Sequence, residues 1–116
     1  MYEKTIIVGF IGNAESKVSA AGNTYITISV GVNRGSKENK KTNWYSVLLF
    51  GQLAREPEKI LRVLRKGRQV LCEGRLQVDT FVRNDNTSGV ELTLIASCLP
   101  VALDSNRPER QSANQN

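Results

Sequence analysis

The chain contains no histidine. That removes the side chain most used for acid–base work near neutral pH, and the base of the common catalytic triads. Its two cysteines, without histidine, do not make a usual zinc site. No glycine-rich loop ending in Lys-Ser or Lys-Thr is present to cradle phosphates. Asp79 and Asp85 flank a strand end without a paired partner, and surface solvation accounts for them. An enzyme is therefore not expected, nor a metal or other cofactor. No apolar run approaches the roughly 20 residues that span a bilayer, so no membrane partner is expected. The opening MYEKTIIVGFIGN is too short and wrongly flanked for a secretory signal, which points to the cytoplasm. Cys72 and Cys98, both in predicted strands, allow a single disulfide, but in that compartment two buried free thiols are the expectation.

Acidic residues are the minority: eleven Asp and Glu stand against sixteen Lys and Arg, for a net charge of +5 and a pI near 9.5. This favours an acidic partner such as nucleic acid, although solvated lysine faces give the same balance. A length of 116 residues makes one domain with one modest core.

Lys4 to Ile11 is apolar at both parities, which predicts a strand buried on both sides, at a barrel closure or in an interface. Asn13 to Asn23 is small and polar and reads as a loop. From Tyr25, Ile26, Ile28, Val30 and Val32 point one way. Tyr25, Thr27, Ser29, Gly31 and Asn33 point the other way, as in a half-exposed strand. A Lys-rich loop, Gly35 to Thr42, leads to a third strand from Asn43 to Phe50. Pro57 suits a first helical turn, Ile60, Leu61 and Leu64 form a stripe, and Gly67 stops the helix. Gln69 to Val82 is a long strand in which Gly74 marks a bend or bulge. After the hairpin loop NDNTSG, Val90 to Leu99 is the fifth strand, ended by Pro100. Residues 104–116 are polar and expected to be a disordered tail, leaving 1–103 as the domain. Three strands, one helix and two strands is the order of an all-β, five-stranded OB-fold barrel with one short helix between strands 3 and 4. That is fold-level analogy and does not by itself give function.

Trp44 and Phe50 lie an even number of residues apart on the third strand and so share a face. Either they are core, as large aromatics usually are, or they form a platform for bases beside cations. Tyr45, Val47 and Leu49 already supply an apolar opposite face, which favours the platform, while Leu48 lies on the Trp44 side.

The stretch W-x-x-V-x-x-F-G-x-L-A (Trp44, Val47, Phe50, Gly51, Leu53, Ala54) is followed by L-R-K-G-x-Q-V-x-x-E-G-x-L, from Leu64 to Leu76. Together with KTIIVGFIGN and ITISV upstream, it resembles the bacterial single-stranded DNA-binding protein family over roughly the first hundred residues. The resemblance implies an OB fold, no catalysis, and non-sequence-specific binding and protection of single-stranded DNA in replication, recombination and repair. It also implies a homo-oligomer, tetramer or dimer, associated with the nucleoid. Trp44 and Phe50 match base-stacking aromatics of the family. Phe81 stands where the family carries a third, a Trp, although a hairpin-tip aromatic packed on its partner strand reads the same way. Arg34 stands where many members have another Trp, and a guanidinium plane also stacks on a base. Lys4 and Lys17 match basic positions that meet the phosphate backbone. Lys37, Lys40 and Lys41 precede Trp44, and Lys66 lies in the matched L-R-K-G. Gln77, Asp79 and Thr80 replace cations common in the family, with Arg75 and Arg83 in partial compensation. RNA is a further ligand of OB folds. Family members that recruit replication enzymes end in an acidic tip with Pro-Phe; this sequence ends RQSANQN, so such recruitment is not expected. An accessory module for replication restart, acting through protein contacts, is the alternative reading.

Overall fold

The computed structural model describes residues 3–35, 38 and 41–103. Strand β1 (Thr5–Val18) pairs antiparallel with β2 (Thr24–Arg34), and β2 with β3 (Lys41–Leu49). A 3₁₀ turn (Gly51–Ala54) and helix α1 (Pro57–Val63) lead to β4 (Gln69–Val82) and β5 (Ser88–Ala96). The ring closes twice. β3 runs parallel to β5, from Tyr45↔Leu92 to Leu48↔Ile95. The first half of β1 pairs with β4, from Thr5↔Gly74 to Phe10↔Gln69. This is the predicted all-β barrel of five strands with a helix between the third and fourth. A two-residue strand, β6 (Val101–Ala102), adds to β4 just beyond Pro100, where the sequence suggested an end.

Alternation places the core. Ile26, Ile28 and Val30 of β2, Val47 and Leu49 of β3, Val70 and Cys72 of β4 and Leu94 of β5 are fully buried. Each large aliphatic side chain so buried contributes about 1.5–3 kcal/mol. Leu64, just after α1, is buried too, while Ile60 and Leu61 pack partly against the cluster. The helix ends at Val63, with Leu64 as its cap, before the expected stop at Gly67; Gly67, at φ 92°, instead lies in the turn that leads into β4.

Several expectations change. β1 does not stop at Ile11: a register shift between Ile11 and Asn13 lets the polar segment continue the strand, pairing Asn13↔Ser29 through Val18↔Thr24. Backbone pairing with β2, not side-chain apolarity, makes this half a strand. Burial of β1 on both sides fails for the single chain, since Ile7 and Ile11 face the core but Ile6, Val8 and Phe10 are exposed. A one-layer barrel has only one inside. β5 ends at Ala96, so Cys98 lies beyond it and is exposed; Cys72 is buried, and both thiols are free. Burial, with a smaller contribution from Cys98, pushes the Cys72 thiol from 9.0 up to about 12. No bulge falls at Gly74; it pairs with both Thr5 of β1 and Ala96 of β5, at the point where β4 passes from one neighbour to the other. Its backbone instead packs onto that of Ile95, where a Cβ would lie 2.8 Å from the carbonyl carbon.

Candidate nucleic-acid interface

One outer face of β1, β2 and β3 carries the aromatic residues. Register and the two-residue period put Lys17, Tyr25, Thr27, Ser29, Gly31, Trp44, Ser46 and Leu48 on this side. Trp44 occupies one end, directly across from Gly31. The outer edge of its indole, Cζ3 and Cη2, lies against Gly12 and Gly31: a Cβ at Gly12 would stand 2.7 Å from Trp44 Cζ3, and one at Gly31 3.0 Å. Only a residue without a side chain leaves room for the ring at these positions. Trp44 nevertheless keeps 54% of its surface exposed. The two glycines were not singled out from the sequence. Their signal was a glycine at a strand position of outward parity, legible only once Trp44 is known to cross it.

Phe50 ends the same face, about 20 Å from Trp44 at roughly 3.3 Å per residue. It is 46% exposed, and its ring lies 5.6 Å from that of Tyr25, tilted by 33°. Tyr25 is a third residue that sequence reasoning missed; its place opposite Lys17 at the start of β2 brings it there. Leu48 between the two ends is half-buried and Ser46 polar, so the face is apolar at its ends and mixed at its centre.

Phe81 comes to Trp44 from the β4–β5 hairpin. The two line one groove of about 440 Å³ with Ser46, Val90, Glu91 and Leu92. Phe81 remains 45% exposed, and its ring edge rests on Gly89, its cross-strand partner. Arg83 stacks over the same ring, 5.1 Å from its centroid, and donates from Nη1 to the Ser88 carbonyl at 2.6 Å. Asp85 is not merely solvated: its Oδ1 accepts from the Thr87 hydroxyl at 2.7 Å and the Thr87 N–H at 3.1 Å, closing the hairpin turn. Those bonds, the hydroxyl first, hold its carboxyl below the usual range.

The cations do not gather in one place. Arg34 and Lys41 are cross-strand partners at the end of the β2–β3 ribbon and line a groove of about 440 Å³ with Gly35 and Asn43. Their parity is opposite to that of Trp44 and Gly31, so the structure does not bring Arg34 onto the aromatic face. Lys37 and Lys40 lie outside the described residues. Lys4 pairs with Glu73 at 3.2 Å and shares a groove with Gly74 and Arg75, apart from the one that Trp44 and Phe81 line. Lys17, exposed beside Tyr25, has Glu15 at 3.8 Å. Lys66 is exposed after α1. Along the hairpin the acids Asp79 and Glu91 stand directly opposite one another. Among the described residues no group of His, Cys, Asp or Glu could hold a metal ion. No helix there is long and apolar enough to cross a membrane.

Residues 2–101 match the model of the "Single-strand binding protein family". The chain is 30% identical over 92 residues to the single-stranded DNA-binding protein 1 of Chlorobaculum tepidum, covering 74% of this chain and 54% of that protein. It thus spans about half the length of the curated relatives it matches. Among solved structures, the mitochondrial single-stranded DNA-binding protein Rim1 of S. cerevisiae superposes with a TM-score of 0.62 at 27% identity. The alignment covers 89% of this chain and 96% of that one. The Plasmodium falciparum SSB complex with ssDNA shares the fold, with a TM-score of 0.64 at 23% identity over 90% and 96% of the two chains. The closed five-strand barrel and the match across residues 2–101 together show that this chain belongs to the single-strand binding protein family.

Proposed function

We propose that this protein binds single-stranded DNA without sequence preference and protects it during replication, recombination and repair. The observation that carries this reading is the half-exposed indole of Trp44, its outer edge set against two glycines, which lines with Phe81 one groove of about 440 Å³. A base entering there stacks on the indole, Phe81 closes on it, and Phe50 receives another base at the far end of the face. Each stacked base contributes about 1–3 kcal/mol. Phosphates meet cations at the margins: Lys17 beside Tyr25, Arg83 at the hairpin, and Arg34 and Lys41 where the ribbon ends, with Lys37 and Lys40, between them in the sequence, proposed to add to these. Lys4, Arg75 and Lys66 stand farther along the surface and act on the longer path of a strand. Stacking and counterion release require no chemistry of the protein, in keeping with a non-enzymatic role.

The exposed β1 strip of Ile6, Val8 and Phe10 supports self-association, as dimer or tetramer, because a second copy would cover it. The domain is residues 1–103, and the reading places the protein with cytoplasmic, nucleoid DNA. Titration with oligo-dT tests binding directly. Trp44, the sole Trp, should be quenched at low salt and recover on adding salt. No quenching at low salt would refute the stacking role. Light scattering with and without the oligonucleotide tests the assembly.

A further inference from the structure

We infer that Tyr25, Phe50 and Arg55 form a terminal nucleotide subsite, at which the strand leaves the β3 face toward α1. The inference rests on the single-strand reading above and extends it to two residues that the sequence pattern did not mark. Tyr25 and Phe50 hold their rings 5.6 Å apart, and Phe50 keeps an exposed face beyond Tyr25. Beside them opens a groove of about 610 Å³, bounded on one side by Asn23 and Thr24 and on the other by Gly51 and Arg55. The turn below it is built, not loose: Ser19 N–H donates to the Asn23 carbonyl at 2.8 Å, and Asn23 N–H to Ser19 Oγ at 3.2 Å.

Charge gives the direction of exit. Arg55 is exposed and, among the described residues, has no ion-pair partner. Lys17, across β1 from Tyr25, supplies a cation on the opposite side of the aromatic pair. A base lying on Phe50 would therefore have Arg55 in its own groove and Lys17, which also has Glu15 at 3.8 Å, beyond Tyr25. Arg55 also borders the next groove, along α1 with Lys59 and Val63, and so joins the two. Between Arg55 and Arg68 the chain has six Lys and Arg against two Glu, four of its five net positive charges. Beyond Trp44, by contrast, the β4–β5 hairpin presents Asp79 opposite Glu91. The electrostatic path from Phe50 thus runs over Arg55 onto α1.

The test is the salt dependence of oligo-dT binding for the intact protein, Arg55→Gln and Tyr25→Leu, with thermal melts to verify folding. One lost phosphate contact lowers the slope of log K against log salt by about 0.7 for a single strand. Arg55→Gln should show that reduction. Tyr25→Leu should weaken binding about tenfold with the slope unchanged, because it removes a ring and no charge. If the wild type binds and quenches but Arg55→Gln keeps both affinity and slope, the subsite is wrong and the single-strand reading stands. If the wild type itself fails to bind, the parent reading falls and this one with it.

Discussion

Replacing Gly12 by alanine would put a Cβ 2.7 Å from Cζ3 and 2.9 Å from Cη2 of Trp44. Carbon atoms in ordinary contact stand about 3.5–4.0 Å apart, so the indole must retreat by about 1 Å. It can do so cheaply. The ring is the far end of a side chain already 54% exposed, and the backbone of Gly12 does not have a positive φ. Alanine there also reduces the freedom of the unfolded chain, worth about 0.4–1 kcal/mol where the backbone conformation suits it. The melting temperature should therefore hold or rise slightly. The loss should fall on binding. A tilted indole forfeits the lower end of the stacking energy, about 1 kcal/mol, or roughly fivefold in affinity. Oligo-dT titration followed by Trp44 fluorescence should show weaker binding and a smaller quench. In Trp44→Ala, followed by anisotropy of a labelled oligonucleotide, adding Gly12→Ala should cost nothing more, because the ring that the new methyl crowds is gone and Ser29 O stands at an ordinary 3.8 Å. Wild-type affinity and quench in Gly12→Ala would refute the glycine-supported platform.

Gly74→Ala should behave in the opposite way. Its Cβ meets the Ile95 backbone, which cannot swing aside, so stability should fall by about 2 kcal/mol and the melting point by about 10 °C. Glu91→Gln removes a carboxylate from the Trp44–Phe81 groove and should tighten oligo-dT binding by up to about fivefold, from the roughly 1 kcal/mol of two charges 4 Å apart in water. Unchanged affinity would show that no phosphate passes that groove. In the native protein a thiol reagent at pH 8 should modify Cys98 alone, and both cysteines after denaturation. Because the unfolded Cys72 thiol ionises from about 9 and the folded one only near 12, the unfolded state loses its proton first. Stability should therefore fall as pH rises above about 9, and Cys72→Ala should remove that part of the decline.

The order of elements along the chain, the helix between β3 and β4, and the inward residues of β2 were legible from alternation and from the glycine and proline breaks. These signals are local. The second half of β1 was not legible, because its polar residues carry no apolar alternation and become a strand only by pairing with β2 after the bulge. Exposure of Ile6, Val8 and Phe10 was likewise hidden, since an apolar residue does not say which side of a barrel wall it takes.

The site divides in the same way. The sequence alone determined that Trp44 and Phe50 share a face and that cations outnumber acids, because parity and composition need no long-range contact. Only the tertiary structure decided that Gly12 and Gly31 meet the edge of the indole, that Phe81 shares a groove with Trp44, and that Tyr25 stands against Phe50. It also separated Arg34 from the aromatic face and placed Lys4 on Glu73. Each of these joins residues distant in the chain through register and barrel closure, which side-chain type does not encode.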